Sequence, residues 1–287
     1  MIFVIPVIIL LFAYLYIENN RIVISELNYE SEKVPEEFEG FKILQLSDLH
    51  SKVFSRDNLS LINMIEEVHP DIIVMTGDMI NHDDSNYNAF IKMAEAASGL
   101  CNTYFIYGNN EERLEDHKKN YLIDELEKRG VYILNDKKVS IERGKSEIVL
   151  YGITMKLSYY KPYKGIHHIN IRLTEKEISD KLGAPSSEKV NILLAHNPVY
   201  FESYVHWGAD LILTGHIHGG IIRLPFLGGL LSPDRSFFPK YFRGKYKYGR
   251  GEMVVNCGLG SKKLLPRVFN PPELTVINLS KEKNNDN

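Results

Sequence analysis

Five short apolar runs in this chain end alike, passing directly into an acid, an asparagine or a histidine: FKILQLSDLH, DIIVMTGD, TYFIYGNNE, ILLAHNP and LILTGHIHGG. Apolar runs of about four to eight residues read as strands buried on both faces. Between the first three lie amphipathic stretches of helical period. DNLSLINMIEEVHP has Asp57 as its expected cap and Pro70 as its stop, SNYNAFIKMAEAASG ends at Gly99, and KKNYLIDELEKRG ends at Gly130. Strand alternating with helix predicts a layered α/β architecture built on a largely parallel sheet. The second half is richer in strand. KVSIERGKSEIVLYGIT predicts a hairpin turning at Arg143-Gly144, and VVNCGLG and ELTVINL close the domain. A second sheet packed on the first is the economical arrangement. Neither an internal repeat nor a linker divides residues 19–278, and residues 279–287 read as a polar tail.

The N-terminus departs from this pattern. MIFVIPVIILLFAYLYI carries no charged side chain before Glu18. As helix it spans roughly 25 Å, slightly less than a hydrocarbon core of about 30 Å. It has neither the basic start nor the small-residue cleavage site of a signal peptide. Residues 1–18 are therefore expected to be an uncleaved single-pass anchor in the cell membrane, with the rest of the chain on the outer face. The net charge of −3 supplies no basic field of the kind duplex-binding proteins show. Cys101 and Cys257 lack CxxC spacing and read as small apolar residues, not as a disulfide or zinc site.

In open α/β sheets ligands collect beyond the carboxyl ends of strands. There the five runs deliver Asp48 with His50, Asp78, Asn109, His196, and His216 with His218. Members of each pair are two residues apart, so in extended chain both can face one side. Gly77, Gly108 and Gly215 precede polar residues where the backbone must turn tightly or approach closely. Carboxylate with imidazole suits Mn, Fe or Zn, whereas oxygen-only sites suit Mg or Ca. Seven such ligands are too many for one tetrahedral zinc and suit two ions sharing one carboxylate. Such a pair, about 3.5–4 Å apart, can hold a hydroxide between them and bind phosphoryl oxygens during in-line displacement.

The series DLH, GD, GNNE, AHNP and GHIHGG resembles the motif set of the calcineurin-like metallophosphoesterase superfamily. LPFLGGLLSP, FFPKYFRGKY, VVNCGLG and PPELTVINL further resemble a membrane-associated bacterial branch that includes enzymes similar to UDP-2,3-diacylglucosamine pyrophosphatase. The resemblance implies a four-layer α/β/β/α sandwich of two mixed sheets. It also implies two divalent ions, with manganese expected and iron or zinc as alternatives. Asp48, His50 and His218 would hold one ion, Asn109, His196 and His216 the other, and Asp78 would bridge them. Family members usually have a histidine after the GN dipeptide, which contacts the phosphoryl group and protonates the departing oxygen; here Asn110 stands in its place. An amide can donate a hydrogen bond but cannot supply a proton, and general acid catalysis contributes about 10²–10⁴-fold. Three readings stay open. The leaving group needs little protonation; another residue, His82 or behind it His117, supplies the acid; or the asparagine is an engineered replacement.

Between Arg223 and Arg250 lie Arg223, Arg235, Lys240, Arg243, Lys245, Lys247 and Arg250 against Asp234, interleaved with aromatics such as Phe237, Phe238, Tyr241 and Tyr246. Cationic side chains favour anionic headgroups and aromatics favour the membrane interface. Arg223, Arg235, Lys240 and Arg243 are thus expected on a substrate- or membrane-facing rim. His167 and His168, in the insert KLSYYKPYKGIHHINIR, read as structural or surface residues. The sequence as a whole predicts a membrane-anchored dinuclear-metal phosphoesterase acting on a phosphodiester or diphosphate of a lipid or nucleotide-lipid. The alternative is a metal-containing protein that holds phosphorylated ligands without turnover. Nucleic acid is a second choice as partner, and no feature points to a protein partner.

Overall fold

The computed structural model describes residues 4–160, 172–224, 228–233, 237–261 and 266–282. Arg235, His167 and His168 lie outside the described residues.

Two six-stranded sheets form the domain. The first runs in the order β1 (Val23–Ser31), β14 (Glu273–Lys281), β2 (Lys42–Leu46), β3 (Ile72–Met75), β4 (Asn102–Phe105) and β5 (Val131–Ile133). Strands β2 to β5 are parallel, β14 is antiparallel to β2, and β1 pairs in parallel with β14. The second sheet runs β12 (Gly244–Tyr248), β13 (Gly251–Val255), β9 (Leu211–Thr214), β8 (Asn191–Ala195), β7 (Ser146–Ile153) and β6 (Lys137–Arg143). Strands β7, β8, β9 and β13 are parallel, and β6 and β12 flank them antiparallel. A short ribbon pairs β10 (Ile222–Leu224) with β11 (Gly228–Leu231).

Side chains alternate across each strand and so sort themselves into three cores. Ile43, Ile72 and Val74 of the first sheet meet Leu150, Ile192, Leu194 and Leu213 of the second. The opposite faces carry Leu44, Ile73 and Met75 on one side, and Tyr151, Leu193 and Ile212 on the other. The former pack under α2 (Leu59–Val68), α3 (Asn88–Leu100) and α5 (Asp116–Glu127). The latter pack under α6 (Glu175–Leu182) and α7 (Phe201–Trp207). The result is the α/β/β/α layering expected from sequence. The central strands β3, β8 and β9 are buried along their whole length because both faces are covered, and β3 (IIVM) is wholly apolar.

Local details differ from expectation. Asp57 does not cap α2: the chain enters that helix through two residues of positive φ, Asp57 and Asn58, and Asp57 instead pairs with Lys92 at 3.2 Å. Strand β14 continues past residue 278 to Lys281, because Leu279 still falls on the inward face and is fully buried.

The N-terminal helix α1 (Val4–Asn20) has 17 residues. Among the described residues no helix is long and apolar enough to cross a membrane, so the expected spanning anchor is not supported. Nor is α1 a core helix. Leu10, Phe12, Tyr16 and Ile17 are all more than half exposed, and Glu18, near its foot, is buried. The foot is fastened to the domain. Asn19 exchanges hydrogen bonds with the backbone of Arg267 (2.9 and 3.1 Å), and Lys52 donates to the Asn19 carbonyl.

Candidate metal centre

Each strand that was expected to deliver a polar residue does so at its carboxyl end. Asp48 follows β2 and Asp78 follows β3. Asn109 opens α4 (Asn109–Glu112) after β4, His196 follows β8, and His216 and His218 follow β9. Both sheets present these ends to one place. His218 Nε2 lies 3.2 Å from Asp48 Oδ1 and 3.0 Å from His50 Nε2. His196 Nε2 lies 3.6 Å from Asp78 Oδ1. Asp48, His50 and His218 form one group able to hold a cation, and Asp78, His196 and His216 a second, with potential ligand atoms within 4.8 Å of one another in each. Asp78 faces both groups, since its Oδ2 is 3.8 Å from His50 Nε2.

Tight backbone makes this convergence possible. Asp48, His50, Asp78, His216 and His218 all have positive φ, a costly conformation for residues with a Cβ that persists only where surrounding structure enforces it. Gly77 has φ +93°, and a Cβ there would strike the backbone of Gly108 and the ring of His196. A Cβ on Gly215 would overlap Ser47 and the carboxylate of Asp48.

The hydrogen bonds fix which ring nitrogens face inward. His50 Nδ1 is 3.0 Å from Asn81 Oδ1, and His196 Nδ1 is 2.7 Å from the Thr76 carbonyl. Both oxygens can only accept, so each Nδ1 carries a proton and each Nε2 is the nitrogen turned into the site. Asp48 Oδ2 accepts from Ser47 Oγ (2.7 Å) and the His216 N–H (3.0 Å), which leaves Oδ1 buried without a hydrogen bond. His196 Nε2 and Asn109 Oδ1 are likewise buried without one. Three buried side-chain atoms left without partners at the same strand ends fit a site for a cation.

Charge follows the same geometry. Burial alone would raise the Asp48 carboxyl, but His218, then His196 and His50, hold it far below its ordinary value. At Asp78 burial is likewise outweighed, by His196 and then His50. Burial opposes charge on His196, yet Asp78 and then Asp48 raise it to about 9. Burial and then His218 lower His50 to about 4, and burial and then His196 lower His216 to about 3.

Asn110 is engaged on both sides. Its backbone N–H and side-chain Nδ2 donate to the two oxygens of Asp78 at 2.7 and 2.6 Å, and its Oδ1 lies 3.1 Å from His82 Nδ1. His82 is therefore at the site, whereas His117 is exposed and paired with Glu115 at 3.4 Å. Several contributors were not assigned a role from sequence. Asn81 orients His50 and the Thr76 carbonyl orients His196. Glu111 accepts from the N–H groups of Gly108, Asp78, Met79 and Ile80 (2.8–3.2 Å). Burial and then Asp78 push its carboxyl up to about 7. An acid directly after GNN, and an asparagine ending the apolar pair Met79-Ile80, were the available signals.

The basic rim divides. Lys240 pairs with Glu202 (3.5 Å) and lies over Tyr241, and Arg243 pairs with Glu273 (2.9 Å). Arg223 donates to the Phe269 carbonyl (2.7 Å). Tyr241 and Tyr248 pack on Phe201, while Phe237 and Phe238 are exposed.

Residues 41–220 match the calcineurin-like phosphoesterase family. The chain is 32% identical over 269 residues to YkuE, an uncharacterized metallophosphoesterase of Bacillus subtilis, covering 92% of this chain and 87% of that one. It is 27% identical to the phosphodiesterase YaeI of Escherichia coli, covering 83% of this chain and 82% of that one. It is 22% identical to LpxG of Chlamydia muridarum, a UDP-2,3-diacylglucosamine pyrophosphatase, covering 91% and 90% respectively. A family match across well over half the chain agrees with the two facing histidine–carboxylate groups, and the protein belongs to the calcineurin-like phosphoesterases as a metal-dependent phosphoester hydrolase.

Proposed function

We propose that this protein hydrolyses a phosphodiester or diphosphate bond in a lipid or nucleotide-lipid while attached to a lipid surface through α1. The observation that carries the reading is Asp78, whose two oxygens face the two separate histidine groups. Asp48, His50 and His218 would hold one divalent ion and Asn109, His196 and His216 the other, with Asp78 between them; manganese suits this mixed donor set. When bound, the ions would supply an activated water nucleophile and Lewis-acid polarisation of the phosphoryl oxygens. Asn110 fixes the rotamer of Asp78, and Asn81 and Thr76 fix the rings of His50 and His196, so ligand geometry is set before substrate arrives. His82 donates through Nδ1 to Asn110, which leaves Nε2 as the edge that can carry a proton to the leaving oxygen.

The substrate class is supported by two features: the likeness to a pyrophosphatase of a diacylated nucleotide sugar, and the exposed apolar surface of α1. The test is to load the full chain with manganese in detergent and follow hydrolysis of a nucleotide-diphospho-lipid and of an aryl phosphodiester. Metal stoichiometry is measured in parallel. Asp78→Asn is expected to abolish turnover of both substrates and to reduce bound manganese from two ions towards one. Undiminished turnover, or two ions retained at wild-type affinity, would refute the bridging role. Hydrolysis of the aryl diester with none of the nucleotide-lipid would refute the substrate class and leave the metal centre standing.

A further inference from the structure

A second concentration of charge lies at the foot of α1, outside the metal ligands. Glu18, Arg21, Ser25, Arg223, Arg243 and Phe269 line an open cavity of about 390 Å³, within the usual size of a small-ligand site. Its positive charge is not fully compensated. Arg243 is committed to Glu273, with Nε and Nη2 at 3.2 and 2.9 Å from Oε1, and to Ser25 at 3.0 Å. Arg223 uses Nε on the Phe269 carbonyl (2.7 Å), and among the described residues neither Arg21 nor Arg223 makes an ion pair. Three guanidinium groups thus face two carboxylates, Glu18 and Glu273. Burial lowers the Arg223 guanidinium from its ordinary value, and the neighbouring Arg243 charge acts in the same direction. A fixed guanidinium fork in a half-buried, net-positive recess suits bidentate contact with a phosphate.

The apolar side of the recess is equally defined. Tyr14 and Phe269 pack with ring centroids 5.7 Å apart, and the Phe269 N–H donates to the Tyr14 hydroxyl at 2.9 Å. Phe269 is itself 52% exposed, and the bare apolar surface of α1 rises from this point. A cationic recess opening onto an apolar column matches the two halves of a phospholipid. We propose that this cavity binds the headgroup phosphate of an anionic phospholipid whose acyl chains lie along α1. The proposal rests on α1 being inserted in lipid and adds which lipid is recognised. The recess is also tied to the metal loop. Arg223 N–H donates to the Val268 carbonyl (2.9 Å), and Asn270 Nδ2 donates to the His218 carbonyl (2.6 Å). A lipid held there would fix the height of the metal centre above the headgroup plane.

The test is flotation of the full chain with vesicles of phosphatidylcholine alone or mixed with phosphatidylglycerol. Partition into the mixed vesicles is expected to be about tenfold stronger. Arg21→Glu, at an exposed position where folding is not at risk, is expected to remove most of that preference. Arg223→Lys keeps the charge but loses the fork and is expected to remove a large share, with circular dichroism confirming the fold. A full preference retained by Arg223→Lys would assign the effect to diffuse attraction and overturn a built site. Equal partition into both vesicle types overturns phosphate recognition while leaving the lipid contact of α1 intact, and failure to bind either overturns both. Soluble glycerol phosphate should compete only weakly. Displacement by it at an affinity matching the vesicles would give the cavity to a free phosphate ester and overturn the lipid assignment.

Discussion

Asn110 occupies the place where a proton donor is usual in this family, and its amide is spent on Asp78 and His82. If His82 is the acid, dependence on it should track the leaving group. His82→Ala is expected to lower turnover of an alkyl phosphodiester by about 10²-fold and of an aryl one only a few-fold, measured across a series of leaving-group pKa. Equal losses across the series would make His82 a positioning residue. A second residue-scale prediction concerns Glu273. Burial alone would raise its carboxyl, but Arg243 and then hydrogen bonds to Cys257 and Ser25 hold it below its ordinary value. Near pH 4 the folded state therefore binds fewer protons at this group than the unfolded chain does. The stabilisation is complete above the unfolded value of about 4.3 and is lost as pH falls through the folded one. Glu273→Gln is expected to cost about 1–3 kcal/mol at neutral pH, less than a fully buried pair because Arg243 keeps contact with water. The difference in Tm from the unmutated protein should close below about pH 4. A difference constant from pH 3 to 7 would contradict it.

At the scale of elements, α4 is only four residues long, yet it stitches two strand ends together. Glu111, on this turn, takes N–H groups from the loops after β3 and β4. Glu111→Ala would leave those buried donors unpaired. It is expected to lower stability by about 3–5 kcal/mol and to weaken manganese binding, read by chemical denaturation and metal titration; Glu111→Gln should recover part of both. The strand ends were legible because apolar runs and glycines are local signals. FKILQLSDLH shows its burial, its end and its ligands within ten residues. The interactions that orient the ligands were not legible. His196 takes its tautomer from Thr76, 120 residues earlier, and Asp48 accepts from His216, 168 residues later. Nothing local encodes such pairings. The apolar run of α1 was visible too, but its exposure depends on what the remaining chain leaves uncovered. The partners of the basic run after Arg223 were hidden for the same reason, because Lys240 and Arg243 find their acids at Glu202 and Glu273.

For the whole molecule, the two sheets place a metal site at their shared carboxyl edge and a cationic recess beside the foot of α1. Joining them is the segment around Arg267, fully buried with its guanidinium on the carbonyls of Cys257 (2.8 Å) and Gly260 (2.5 Å). The same segment grips Asn19 through its backbone, and Gly260 N–H reaches the Asp48 carbonyl at 2.6 Å. The position of β14 has a further consequence, for synthesis on the ribosome. This strand is made after all the other strands of both sheets, yet it lies between β1 and β2, the first two. A nascent chain lacking it leaves one edge of β2 unpaired, so the sheet that carries Asp48 cannot close until β14 is made. Ribosome-stalled chains ending before Glu273 should remain protease-sensitive and fail to retain manganese, whereas those that expose β14 beyond the exit tunnel should become resistant in one step. The metal centre would then be completed only after α1 has had the synthesis of every other strand in which to reach a lipid surface.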